Sequence, residues 1–207
     1  MKKILKSAFL AAATAMIPLS GEMKVLAFAG SLREESYNKK LIQDAAQIAR
    51  DMGAKVTVIE LKDYPIPFYN EDVERKEGLP KNAKKLQDLM IKSDAIIIST
   101  PEYNGSVPGV LKNVLDWVSR SGKVGYSPVA YEGKRFAIMS ASPGGGGGRR
   151  ALANLRSIVT SAGGTVMETE VAIPKAHEYF ADKKRSENTE LKKEIEELLQ
   201  PAAVNGT

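Results

Sequence analysis

The strongest constraint on the fold of this chain is an alternation that begins at Met23: a short apolar run, a turn, a stretch of helical spacing, then the next apolar run. Residues 24–30 (KVLAFAG) are almost uniformly apolar and end on glycine, as a strand buried on both faces must be. Leu41, Ile42, Ala45, Ala46, Ile48 and Ala49 follow at helical spacing, and Gly53 stops the helix. The pattern repeats, with strands expected at 55–61, 94–100, 134–140 and 165–171 and helices at 83–91, 108–119, 149–162 and 187–199. The proline-rich stretch 62–80 reads as one long loop. Strands alternating with helices imply parallel pairing and right-handed crossovers, so the expected fold is a single doubly wound α/β domain over 23–200. In such a fold a ligand lies beyond the carboxyl ends of the strands, where strand order reverses. The loops after strands one, three and four are therefore where a site is sought.

Composition narrows the chemistry. The 207 residues contain no Cys and one His. That excludes disulfides, thiolate metal sites, a Cys nucleophile and a multi-histidine metal centre. What remains favours a cofactor that carries its own reactivity. The formal charge of +5 is partly owed to Lys2, Lys3 and Lys6. The mild excess left without them suits anionic small molecules, and no basic stripe interleaved with aromatics points to nucleic acid.

Residues 1–22 read as a leader, a basic start followed by an apolar run over 8–19 that is too short to span a membrane. Either it is a processed signal, with Ala13-Thr14-Ala15 as a small-x-small site, or Met23 is the functional start. Residues 201–207 read as a tail, and the expected location is the cytoplasm.

Loop one, 30–38 (GSLREESYN), combines Ser31, Ser36 and Asn38 with Arg33 just ahead of a helix N-terminus, where free N–H groups and the macrodipole favour a phosphate. The plainer reading is capping by Ser36 or Asn38 with no ligand. Loop two, 100–109 (TPEYNGSVPG), has prolines at both ends and an Asn104-Gly105 pair suited to positive φ. It can present backbone groups to a planar heterocycle with Tyr103 against one face, or be a structural turn. Loop three, 140–150 (SASPGGGGGRR), lets a ligand approach the backbone or serves as a plain linker. Its Arg149 and Arg150 open a helix, where cations oppose the macrodipole. His177, the dispersed Met residues and the Lys/Glu pattern of 183–197 read as structural or solvated; Trp117 packs its helix on the sheet or a partner. Arg120 either complements its helix C-terminus or crosses an interface.

Together, AGSLREESYN, TPEYNGSVPGVLKNVLDWVSR and SASPGGGGGRR, in that order, resemble the NADPH-dependent FMN reductase family, a flavodoxin-like group that includes chromate, quinone and azo-dye reductases. PIPFYNEDVE after strand two is similar to a further family stretch. The resemblance implies a flavodoxin-like three-layer sandwich, a five-stranded parallel sheet of order 2-1-3-4-5, and non-covalent FMN. By position, Ser31, Arg33, Ser36 and Asn38 would hold the phosphate. Pro101, Glu102, Tyr103, Asn104 and Gly105 would line the isoalloxazine, with Ser142, Pro143, Gly144 and Gly145 on its other side. It further implies NADPH (or NADH) as co-substrate, hydride passing to the flavin and then electrons to a small-molecule acceptor in a ping-pong cycle, no metal, and a homodimer or homotetramer. The competing reading is a flavodoxin-like electron carrier. Such carriers are typically acidic, and loop one lacks their Thr-x-Thr-Gly-Asn pattern. A response-regulator-like domain is disfavoured, because Thr100-Pro101 stands where it needs an aspartate.

Overall fold

A computed structural model describes residues 22–182 and 185–200, so the leader expected at 1–22 lies outside the described residues apart from Glu22, and the tail at 201–207 lies wholly outside them. Strands β1 (Lys24–Ala29), β2 (Lys55–Glu60), β3 (Ala95–Ser99), β4 (Arg135–Ala141) and β5 (Thr165–Val166) form a parallel sheet in the order β2-β1-β3-β4-β5, as expected. Helices α1 (Tyr37–Asp51), α3 (Lys81–Ile91), α4 (Gly109–Val118), α5 (Arg149–Ser161) and α7 (Thr189–Leu199) correspond to the five read from spacing.

The strand alternation sorts side chains into two cores. Leu26, Phe28, Ile96, Ile98, Phe136 and Ile138 face α3, α4 and α5. Val25, Ala27, Ala29, Ile97, Ala137 and Met139 face α1 and α7. The second face is rich in alanine, from the strands and from Ala45 and Ala49 of α1, which brings α1 close to the sheet. Because α1 lies on one face and α4 on the other, the chain leaves β1 and β3 in opposite directions and opens a crevice between them.

Two expectations are corrected. The stretch 62–80 is not irregular throughout: it contains α2 (Glu71–Glu77), preceded by a single 3₁₀ turn at Leu61–Asp63. The Asn70 side chain caps α2 by accepting the Asp72 N–H at 2.9 Å, acidic residues fill its first turn, and Arg75 and Lys76 fill its last. Those are ordinary helix signals, obscured by the neighbouring prolines. The expected fifth strand is broken. β5 stops at Val166, and β6 (Val171–Ile173) resumes pairing farther along β4, at Met139, Ser140 and Ala141. Of the intervening residues, Met167 still donates its N–H to the Phe136 carbonyl at 2.9 Å, and side chains hold the segment beyond it. Glu197 accepts from the Thr169 N–H (3.0 Å) and hydroxyl (2.6 Å), and Arg156 donates to the Met167 carbonyl (2.6 Å). A short helix α6 (Ala176–Ala181) follows β6.

Candidate active site

Loop one turns at Gly30, where a side chain has no room: a Cβ there would lie 2.7 Å from Leu111 Cδ2 of α4. Ser31 and Ser36 are both buried. The Ser31 hydroxyl accepts from the Arg33 N–H at 3.3 Å, which leaves its proton free to donate. Ser36 is the N-cap residue of α1, yet its side chain makes no capping bond, and the first turn of α1 holds no acidic residue. The positive end of α1 therefore has no internal anion, and capping, the plainer reading of Ser36, is not its function here. Arg33 is exposed.

Asn38 behaves differently from the serines. Its Oδ1 accepts from the Ser99 hydroxyl (2.8 Å) and the Ala141 N–H (2.9 Å), while its Nδ2 donates to the Ala141 carbonyl (2.9 Å). One buried amide thus ties the start of α1 to the carboxyl ends of β3 and β4.

Loop two is a two-residue hairpin. Tyr103 and Ser106 exchange backbone hydrogen bonds of 3.0 and 3.1 Å around Asn104 (φ 52°) and Gly105 (φ 80°), the Asn-Gly geometry of a type I′ turn. Tyr103 is 47% exposed, so it is not a core residue and remains available at the surface of the site. Glu102 does not reach toward open space. Its carboxylate accepts from the Arg150 Nε at 2.8 Å and the Arg150 backbone N–H at 3.1 Å, and it meets a second guanidinium nitrogen at 2.5 Å. The Arg150 guanidinium holds this carboxyl below the usual glutamate range. Glu102 is the counter-charge to Arg150 at the start of α5, and nothing local in the sequence pairs residues 48 positions apart.

Loop three divides in two. A Cβ at Gly145 or Gly146 would meet nothing within 4 Å, and at Gly144 only the Ser142 hydroxyl at 3.7 Å. Gly147 and Gly148 are buried at φ 62° and 83°, and a Cβ would strike the Ala172 backbone at 3.0 Å or Ser140 Cβ at 2.8 Å, respectively. The loop is fastened by β6 and α6: Ser142 N–H donates to Ile173 (3.0 Å) and Lys175 N–H donates to Gly144 (3.1 Å). The reading of a plain linker therefore fails for the last two glycines, while Gly145 and Gly146 leave open space over their backbone. Pro143 is exposed beside them.

The structure thus brings the three loops to one end of the sheet and ties them together through Asn38, Glu102 and the Ser140 hydroxyl, which donates to the Thr100 carbonyl at 2.6 Å. What is left is compatible in its chemistry with an FMN: a helix N-terminus with no acidic residue in its first turn, a hairpin with positive φ, and open space over Gly145 and Gly146. A cavity of about 320 Å³ opens beside loop one, walled by Leu32, Tyr64, Ile66, Val110 and Val114.

The remaining residues singled out in the sequence have structural partners. Trp117 is fully buried within the chain and donates from Nε1 to the Pro67 carbonyl at 2.8 Å. The Arg120 guanidinium stacks on the Tyr69 ring at 4.4 Å, and Tyr69 donates to Glu74 at 3.1 Å. Among the described residues no group of three or more His, Cys, Asp or Glu side chains is placed to hold a metal ion, and no helix is long and apolar enough to cross a membrane.

The family model of NADPH-dependent FMN reductase matches residues 23–178. A quinone reductase of Pseudomonas putida is 42% identical over 130 residues, which span 63% of this chain and 66% of that one, just under two thirds of its length. An NAD(P)H-dependent FMN reductase of Pseudomonas aeruginosa is 34% identical over 183 residues, covering 88% of this chain and 94% of the other. Among solved structures, the flavoenzyme NAD(P)H:(acceptor) oxidoreductase of Paracoccus denitrificans superposes with a TM-score of 0.69 at 29% identity, covering 85% of this chain and 97% of that one. The family model spans most of the chain, and the chain therefore belongs to the NADPH-dependent FMN reductase family.

Proposed function

We propose that this protein is an NAD(P)H-dependent FMN reductase that passes electrons to a small-molecule acceptor, a quinone first among the candidates, with reductant and acceptor alternating at one face in a ping-pong cycle. The observation that supports it best is the division of labour at the crevice. Asn38 and Glu102 bind the loops to each other, while the Ser36 side chain makes no capping bond, the Ser31 hydroxyl keeps its proton to donate, and the space over Gly145 and Gly146 is open.

In this reading Ser31, Ser36 and Arg33 hold the phosphate against the α1 N-terminus. Pro101, Tyr103, Asn104 and Gly105 form one edge of the ring site, and Ser142, Pro143, Gly144 and Gly145 the other. When bound, FMN supplies the hydride and electron chemistry, so no side chain has to act as acid, base or nucleophile. Asn38 and Glu102 stand behind these residues and set their spacing. Backbone N–H groups of the hairpin are suited to stabilise negative charge that develops on the ring. Exposed Tyr103 shapes the face at which nicotinamide and acceptor alternate. The domain over 23–200 acts in the cytoplasm, where NAD(P)H is supplied, as a homodimer or homotetramer. The second reading, an electron carrier, is disfavoured by the basic charge of the chain.

The test is to titrate the purified protein with FMN and then follow NADPH under air with a quinone, azo dye or chromate added. A bound flavin and sustained NADPH consumption are expected; a single reduction that then stops would make it a carrier, and no FMN binding would overturn both. Asn104→Asp, which sets a negative charge at the turn, is expected to weaken FMN binding or turnover at least about 10-fold, equivalent to ~1.4 kcal/mol. Unchanged values would remove the hairpin from the site.

A further inference from the structure

The hairpin proposed to face the ring does not hold itself in place. Between Tyr103 and Ser106 it carries two backbone bonds, Thr100 and Val107 tie its flanks to β4 and the core, and the polar anchors of Glu102 and Gly105 come from the first two turns of α5. Arg150 grips Glu102 at one end of the hairpin through Nε at 2.8 Å and a second guanidinium nitrogen at 2.5 Å, and its backbone N–H reaches the other carboxylate oxygen at 3.1 Å. Asn154, one turn on, donates from Nδ2 to the Gly105 carbonyl at 3.3 Å and to the Arg150 carbonyl at 2.7 Å. The Arg150 stem passes under the turn, within 3.9 Å of where a Gly105 Cβ would stand.

The N-cap residue of α5 is Gly148, which has no side chain to cap with and cannot take one because Ser140 abuts it. Glu102 fills that vacancy from another loop. The same helix start is also the end of the glycine run. The Glu102–Arg150–Asn154 contacts therefore make loop two and loop three one body, with a spacing set by α5.

We propose that Arg150 and Asn154 are positioning residues: acting through Glu102 and the Gly105 carbonyl, they lock the hairpin to α5 and fix the gap between the two loops that receive the flavin ring. This deepens the proposed function and rests on it. The Arg150 side chain is 77% exposed against 13% for Glu102, and an ion pair open to water on one side contributes little to global stability, so its effect is geometric. The fork geometry matters, since a lysine supplies charge without two parallel donors.

Four variants test this: Arg150→Ala, Arg150→Lys, Asn154→Ala and Glu102→Gln, with the double variant of Glu102→Gln and Arg150→Ala. In apoprotein, hydrogen exchange at the Tyr103 and Ser106 amides is expected to speed up about 10-fold or more in Arg150→Ala and Asn154→Ala, with exchange in β1 and β3 unchanged. FMN affinity is expected to fall about 10-fold in Arg150→Ala and less in Arg150→Lys, and the double variant is expected to lose no more than the worse single one. The flavin midpoint potential is expected to rise in Glu102→Gln and fall in Arg150→Ala, because one removes a negative and the other a positive charge from the pair behind the hairpin. A merely structural pair would not move it in opposite directions. Unchanged exchange, or fully additive affinity losses, would overturn the proposal. Should Arg150→Ala fail to fold, Arg150→Lys and Asn154→Ala carry the same readouts. If the unaltered protein binds no FMN, the proposed function fails, while the exchange measurement still decides whether the clasp holds the hairpin.

Discussion

Five consecutive glycines in loop three are glycine for two separate reasons. At Gly147 and Gly148 the backbone is in the left-handed region and any Cβ meets the Ala172 backbone or Ser140. At Gly145 and Gly146 neither constraint applies, and what the missing side chain leaves is access. The two groups should separate on substitution. Gly148→Ala is expected to destabilise the protein by more than about 3 kcal/mol or to prevent its folding, since strain and overpacking add. Gly145→Ala is expected to leave stability within ~0.5 kcal/mol, as for an open surface position, while lowering FMN affinity. Urea unfolding and flavin titration on both variants check this; equal stability losses would mean the run is structural throughout.

Among the elements, α4 does the most to shape the region beside the site. Its Asn113 amide pairs with the chain on either side of Phe68, donating to the Pro67 carbonyl at 3.0 Å and accepting the Tyr69 N–H at 2.8 Å. Trp117 donates to the same Pro67 carbonyl, and Tyr69 packs edge-on against its indole at 5.0 Å. The LKN-x-x-DW stretch is thus the clasp that straps the segment after β2 across α4, and it leaves Phe68 81% exposed on a fixed backbone. Asn113→Ala removes two hydrogen bonds at about 1 kcal/mol each. It is expected to cost ~2 kcal/mol and to make residues 64–79 the first site of limited proteolysis. Cleavage elsewhere first would mean the strap is held by other contacts.

For the whole molecule, the break between β5 and β6 has an electrostatic consequence. Glu194 of α7 is fully buried beside β4, and neither of its oxygens meets a donor at full hydrogen-bond geometry. Burial pushes its carboxyl well above the usual value of 4.5; the Ile138 N–H acts in the opposite sense, Glu170 and Glu197 add to the rise, and Arg156 opposes it. Arg135, on the facing strand, donates instead to the Glu197 carbonyl and to Met167 at 3.3 Å. Between 4.5 and the raised value the folded chain holds a proton that the unfolded chain has lost, so this group's contribution falls as pH rises through that window. Glu194→Gln is therefore expected to gain stability relative to the parent protein by up to ~1.4 kcal/mol per pH unit above 4.5. Unfolding midpoints from pH 4.5 to 8 test it, and parallel curves for the two proteins would show that the carboxyl is ionised in place.

Much of this protein was legible in one dimension because its causes are local or periodic. The run KVLAFAG, the spacing of Leu41 to Ala49 and the other strand–helix pairs dictate a parallel sheet, and Asn104-Gly105 favours the positive-φ turn it adopts. The tertiary structure decided what depends on groups distant in sequence. Asn38 reads as a phosphate ligand beside Ser36, and its amide is engaged by Ser99 and Ala141. Glu102 reads as part of the ring site, and its carboxylate caps a helix 48 residues on. Residues 165–171 read as one strand, and between β5 and β6 the Met167 carbonyl and the Thr169 N–H pair with Arg156 and Glu197. Local propensity comes from sterics between neighbours along the chain, so sequence alone determines it. A polar side chain's partner is set by whichever buried donor or acceptor the fold brings within about 3 Å, and only the packed chain specifies that.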